Sequence, residues 1–260
     1  MEQARATSEI EIRHCSTLAE YDECVRLEKL VWGGNIVVPA PVFVVAHHTG
    51  GQVLGAFEGA TLVGFTLALA AVRDAKPYLH SHMTAVRPEL RDRGVGRRLK
   101  LFQREDALGR GIDLVEWTFD PLDLKNAHFN LNILGAVVRR FIPNCYGVTD
   151  SPLHGGLPTD RLVAEWWVGS QRVKSVLAGE SRAPNRRAPR IALPENIEAI
   201  RASDRAAAAR IQRETGEQFQ HWFAKGYAAT SVETRDAEIA YVLEPADSIE
   251  GLRLPNSAEG

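Results

Sequence analysis

The sequence predicts an α/β protein: a mixed sheet carrying helices on both faces. Three observations predict it. First, a β-favouring segment from Tyr78 to Val86 runs through a basic turn into Gly-x-Gly and an amphipathic helix. Second, segments of strand and helix period succeed one another from Ile10 to Val168. Their order is strand, helix, three strands, helix, strand, helix, two strands. Third, the 260 residues are 45% hydrophobic and 25% charged, which suits a globular chain of one large domain or one domain plus an extension.

The elements follow in chain order. The polar start, Met1 to Glu9, is read as loose. Ile10 to His14 alternates and forms a short strand. Leu18 to Trp32 has helical spacing through Leu18, Tyr21, Val25 and Leu30, and Gly33-Gly34-Asn35 ends it. Pro39-Ala40-Pro41 predicts an extended connection that continues through His47-His48. Gly50-Gly51 turns the chain. Strands Gln52 to Phe57 and Thr61 to Val72 flank Glu58-Gly59-Ala60, a hairpin signal. After the Tyr78 to Val86 strand, Pro88 ends the ladder because it has no N–H to donate.

The helix from Val95 to Leu108 turns Val95, Leu99 and Phe102 inward. Arg97, Arg98, Lys100, Gln103 and Arg104 take the wet side, and Gly109-Arg110-Gly111 stops it. Leu114 to Phe119 is a strand, and Lys125 to Leu134 a helix ended by Gly135. Ala136 to Ile142 and Arg161 to Val168 are the last core strands, with a long loop holding Gly155-Gly156 and Pro158 between them. Residues 169–194, with Arg182, Arg186, Arg187 and Arg190 among prolines, read as a wrapped connector. Residues 195–246 add a helical stretch and a terminal hairpin, from Tyr227 to Thr234 and Glu238 to Leu243.

The basic turn carries the chemistry. A helix start exposes N–H groups without intrahelical partners, and the helix dipole adds positive charge there. Gly94 and Gly96 let an anion approach the backbone, and Arg91, Arg93, Arg97 and Arg98 add formal charge. The ligand this suits is a pyrophosphate. No P-loop string occurs, and Leu99 stands where a dinucleotide turn needs its third glycine.

What remains is Arg-x-x-Gly-x-Gly after a strand, here Arg91-Asp92-Arg93-Gly94-Val95-Gly96. With the preceding Val86-x-Pro88-Glu89-x-Arg91, it resembles the coenzyme A pyrophosphate loop of the GNAT superfamily of N-acyltransferases. The resemblance covers residues 10–168 in element order. It implies acetyl-CoA or another acyl-CoA as co-substrate and a small-molecule amine as acceptor. It also implies that Arg91 to Arg98 hold the pyrophosphate. A bulge in the strand before them would free the backbone of Met83, Thr84, Ala85 and Val86 for the pantetheine arm and thioester. Coenzyme A lies in that family where two central strands part, here Tyr78 to Val86 and Leu114 to Phe119. Residues near Trp32 to Phe43 would line the acceptor side.

The same resemblance implies an Asn after the next strand and a Tyr seven positions on. Asn126, in the segment that ends at Phe129, matches the Asn. Ile133 stands in place of the Tyr, which leaves the general acid open, with Tyr146 a substitute from a nearby turn.

An attacking amine must lose its proton, so a base is sought. His80, His82 and Thr84 share one strand face by period two, and imidazole titrates near neutrality. Glu116, which alternates with apolar neighbours, is the second candidate. Arg139 and Arg140 point one each way, and with Arg161 they raise the prospect of a carboxylate-bearing acceptor or a succinyl donor.

Composition closes other routes. A net charge of -2 weighs against a nucleic-acid partner. No apolar run is long enough to span a bilayer, so no membrane partner is expected. Cys15, Cys24 and Cys145 lack metal spacing, His47-His48 has no third ligand nearby, and no metal is expected. Few cysteines and no leader-like segment point to the cytoplasm. The expected function is direct transfer of an acetyl or other short acyl group to a small amine, perhaps of an amino acid. The alternatives are a non-catalytic acyl-CoA-binding module and an RNA-directed acetyltransferase. The extension caps the core or joins two subunits of a homodimer.

Overall fold

A computed structural model describes residues 9–33, 37–147, 156–180, 187–235, 238–249 and 251–252. Gly34, Asn35, Gly155, Arg182 and Arg186 of the sequence reading lie outside them. The chain divides into two compact units, 1–115 and 116–260.

In the first unit β1 (Ile10–His14), β2 (Gln52–Glu58), β3 (Thr61–Arg73) and β4 (Lys76–Val86) form a consecutive antiparallel sheet. Helix α1 (Leu18–Trp32) starts at a capping box: Glu20 N–H donates to Thr17 Oγ1, and the Glu20 carboxylate accepts from Thr17 N–H. Helix α2 (Ala40–His48) follows it. Tyr21, Cys24 and Leu27 of α1 and Phe43 and Ala46 of α2 pack with Phe65, Leu67 and Ala85 on one face of the sheet. Helix α3 (Val95–Gly109) sets Val95 and Leu99 with Leu54, Ala56 and Val63 on the other. Helices on both faces are thus observed.

Helix α2 corrects the extended connection read from two prolines. Pro39 is the N-cap, and Pro41 sits in the first turn, where a missing N–H costs no hydrogen bond. His47 and His48 therefore lie in a helix's last turn rather than on opposite sides of an extended chain.

Strand β5 (Leu114–Phe119) runs across the division. The second unit continues with α4 (Leu124–His128), which passes directly into a π-helical turn over Phe129–Ile133. Then come β6 (Val137–Ile142), β7 (Arg161–Trp167), α5 (Gln171–Leu177), β8 (Arg190–Pro194), α6 (Ile197–Ser203), α7 (Arg205–Ala224), β9 (Tyr227–Arg235) and β10 (Glu238–Pro245). The strand order is β5-β7-β6-β9-β10-β8. Pairing is antiparallel for β6–β7, β6–β9, β9–β10 and β8–β10.

The terminal hairpin is therefore joined to β6 by hydrogen bonds, and hydrogen bonding continues past the boundary expected near residue 168. The stretch read as a connector contributes α5 and the edge strand β8. Phe219 of α7 stacks on Phe141 and meets Tyr241 edge-on, with ring centroids 6.3 and 5.0 Å away. The buried Tyr241 hydroxyl donates to Pro121 O at 2.7 Å. No helix among the described residues is long and apolar enough to cross a membrane.

Candidate active site

Strand β4, a short 3-10 turn at Pro88–Leu90 and the start of α3 form one continuous segment. Asp92 and Gly94 both adopt positive φ, 61° and 79°, which brings the chain sharply round into the helix. Gly94 is the N-cap and offers no side chain, and no acidic residue occupies the first turn. The first helical hydrogen bond runs from Arg98 N–H to Gly94 O at 3.0 Å, leaving the N–H groups of Val95, Gly96 and Arg97 without intrahelical acceptors. A Cβ on Gly94 would meet no atom within 4 Å. One on Gly96 would meet only Val86 Cγ2, at 3.9 Å. Packing inside the protein therefore does not demand glycine at position 96, and the open side leaves backbone amides approachable by an anion.

Arg91, Arg93, Arg97 and Arg98 are all exposed. Arg98 donates to Ile10 O, whereas Arg91, Arg93 and Arg97 have no hydrogen-bond or ion-pair partner among the described residues. Uncapped amides, exposed arginines and a first helical turn without an acid give this end of α3 a positive character, although Asp92 stands in the turn before it.

One bulge shapes the strand behind this turn. Met83 pairs with Leu67 and Ser81 with Ala68, so His82 is an extra residue without a β3 partner. The bulge breaks the expected period. His80, opposite Leu69, and Met83, opposite Leu67, share the face of α1 and α2, where His82 also lies. Thr84 falls on the opposite face and its hydroxyl lies 3.0 Å from that of Thr66. His80 and His82 stay together, with ring centroids 6.4 Å apart, but Thr84 leaves them. Ala85 is buried, and Met83 and Val86 are half-buried.

His82 borders a cavity of about 390 Å³ within the first unit. Val37, Val38, Pro39 and Val42, within the stretch 32–43, wall one side. Leu67, Leu69 and Met83 wall the other, and Glu28 of α1 completes it. One side of the His82 ring remains in solvent, and partial desolvation of the rest lowers its pKa below 6.5. Glu28 is only 6% exposed, and its carboxylate oxygens accept from Val38 N–H at 3.0 and 3.2 Å. Burial raises the Glu28 pKa and the Val38 N–H opposes that rise.

Sequence reasoning missed Glu28, since a single acid among the polar positions of a helix gives no signal. It also placed Lys100 and Gln103 in water. Both are buried, at 4% and 0% exposure. Lys100 Nζ donates to Ser81 Oγ at 2.8 Å and to Gln103 Oε1 at 3.0 Å. Gln103 in turn donates to Gln52 Oε1 at 2.9 Å, and Gln52 donates to Asp106 Oδ2 at 2.6 Å. Polar partners on β2 and β4 make the burial of these two residues tolerable. Desolvation lowers the Lys100 pKa to about 7.

The remaining candidates lie in the second unit. Glu116 is 2% exposed and ion-paired with Arg140. A second bulge makes Arg139 an extra residue in β6, since Val138 pairs with Ala164 and Arg140 with Val163. Both guanidiniums then reach Glu165: Arg139 Nε at 3.2 Å and Arg140 Nε at 3.3 Å. They do not point one each way; both are engaged by buried carboxylates. Arg161 donates to Asp160 O and lies over the Tyr146 ring. The Tyr146 hydroxyl lies 2.8 Å from Thr118 Oγ1, and Ile133 closes the π turn. Asn126 and Phe129 are half-buried where α4 meets that turn.

No protein-family model and no curated protein matches the chain. Solved structures do. The ribosomal-protein-S18-alanine N-acetyltransferase of Escherichia coli matches at TM-score 0.51 and 14% identity, over 68% of this chain and 98% of its own. A Salmonella typhimurium protein described as an acetyltransferase, with acetyl-CoA as its cofactor, matches at TM-score 0.50 and 16% identity, over 68% and 98%. An acetyltransferase-like protein from Acinetobacter baylyi matches at 0.51 and 12%, over 62% and 93%. At these identities the likeness shows the fold alone: the chain is built on the mixed α/β fold of these acetyltransferases.

Proposed function

We propose that this chain is an N-acyltransferase that takes an acetyl or other short acyl group from acyl-CoA and delivers it directly to the amino group of a small molecule. The observation that carries the reading is the open, uncapped start of α3, which follows a bulged strand and is flanked by three unpartnered arginines. Acyl-CoA supplies the activated thioester. The chain's own residues grip the diphosphate at Gly94 to Arg97 and expose β4 backbone at the bulge.

His82 is the base in this reading. It borders the cavity, its side chain has no hydrogen-bond partner among the described residues, and partial desolvation lowers its pKa, favouring the neutral imidazole that can accept a proton. His80 is the second candidate, beside it. Glu116, held by Arg140, supports its own unit instead. Cys15 and Cys24 are buried free thiols, which suits the reducing cytoplasm.

Titration calorimetry with coenzyme A tests the proposal. The double variant Gly94→Glu, Arg91→Glu places two carboxylates at the helix start, and coenzyme A affinity should fall by about 100-fold or more. Undiminished affinity in that variant would overturn the site and, with it, the function.

A further inference from the structure

We infer that the acceptor is a primary amine on an apolar body with no carboxylate, selected by the cavity beside the β4 bulge. The inference rests on the acyltransferase reading of the same site. Apart from Glu28 and His82, every residue that walls the cavity is apolar. An acceptor amine arrives mostly protonated, and here it meets one carboxylate and an imidazole but no cation.

Glu28 does not swing away, because Val38 N–H holds both its oxygens. An α-amino acid would bring a second carboxylate against these apolar walls. It would find no guanidinium or ammonium among the lining residues and would be repelled by Glu28. The arginines that favoured an amino-acid acceptor are engaged inside the second unit. A volume of about 390 Å³ accommodates a branched alkyl or phenyl group with room to spare.

Matched pairs that differ only by the carboxylate give the test: isoamylamine against leucine, and phenethylamine against phenylalanine. Thiol release from acetyl-CoA gives kcat/KM for each, and calorimetry with and without coenzyme A gives Kd. The amine should exceed its amino acid by at least about ten-fold in both. Glu28→Gln, which keeps an acceptor for Val38 N–H, should shrink that ratio. Leu69→Arg, which adds a cation to the wall, should reverse it.

Equal or better use of the amino acids overturns the inference, as does coenzyme A binding without affinity for either amine. A rate that climbs with octanoyl-CoA while the pairs stay equal assigns the cavity to the acyl chain and also overturns it. Failure of wild-type protein to bind coenzyme A instead sinks the acyltransferase reading, and amine binding without coenzyme A then still decides the acceptor class.

Discussion

Two of the bulged strands of this molecule, β4 and β6, use their extra residue with opposite results. In β4 the extra residue is His82, which borders a cavity and whose side chain has no hydrogen-bond partner among the described residues. In β6 it is Arg139, drawn with Arg140 onto Glu165, while Arg140 also holds Glu116. The backbone irregularity is alike, but the surroundings differ. β4 is bordered by the apolar wall of Leu67, Leu69 and Val42, and the one carboxylate at that cavity, Glu28, accepts from Val38 N–H. β6 lies beside β7, whose Glu165 is only 3% exposed and needs one. A bulge re-aims a side chain, and its neighbours decide whether the result is a functional group or an internal salt bridge.

The largest expected effect breaks the second bulge. Glu165→Ala takes the shared carboxylate from Arg139 and leaves Arg140 with Glu116 alone, and should cost about 2–3 kcal/mol of stability, read from urea unfolding. A loss below about 1 kcal/mol would mean that solvent, not Glu165, satisfies these arginines.

Breaking the first bulge should affect rate rather than stability. His82→Ala should lower kcat by about 100-fold with little change in the urea midpoint. The wild-type kcat/KM should rise with pH through the depressed His82 pKa, below 6.5, and then level off. In the variant that acidic limb should disappear. A limb that persists in the variant would move the base to His80.

The exposed arginines sharpen the contrast with Arg139 and Arg140. Removing both Arg93 and Arg97 should leave stability within about 0.5 kcal/mol. Coenzyme A affinity should fall about ten-fold, with a flatter salt dependence. An unchanged affinity would show that the backbone amides alone carry the anion.

Much of this contrast was legible in the sequence. The strand, turn and helix from 78 to 108 pointed to the fold class and to the uncapped turn, because glycine, proline and arginine act there through local backbone geometry. The bulges were not legible. One inserted residue moves Thr84 to the other face and brings Arg139 and Arg140 together, and strict period two has no way to register it. Helix α2 was hidden by two prolines that first-turn positions accept. Glu28 and Lys100 were hidden because burial of a single charge on a helix depends on which partners the tertiary fold supplies.

Lys100 gives the finest test of that last point. It is a buried side chain whose ammonium donates to the neutral oxygens of Ser81 and Gln103. Its pKa is lowered from 10.5 to about 7 by desolvation. Between those values the unfolded chain binds a proton that the folded chain does not, so stability should rise as pH climbs from about 7 toward 10. Below pH 7 the proton must be carried into the interior, and the full penalty applies. Lys100→Met removes the titrating group and should flatten this rise, gaining most at pH 6 and least at pH 9.5, as measured by paired urea titrations. An unchanged slope in the variant would show that Lys100 stays protonated in the interior, held as firmly by neutral oxygens as Arg139 is by Glu165.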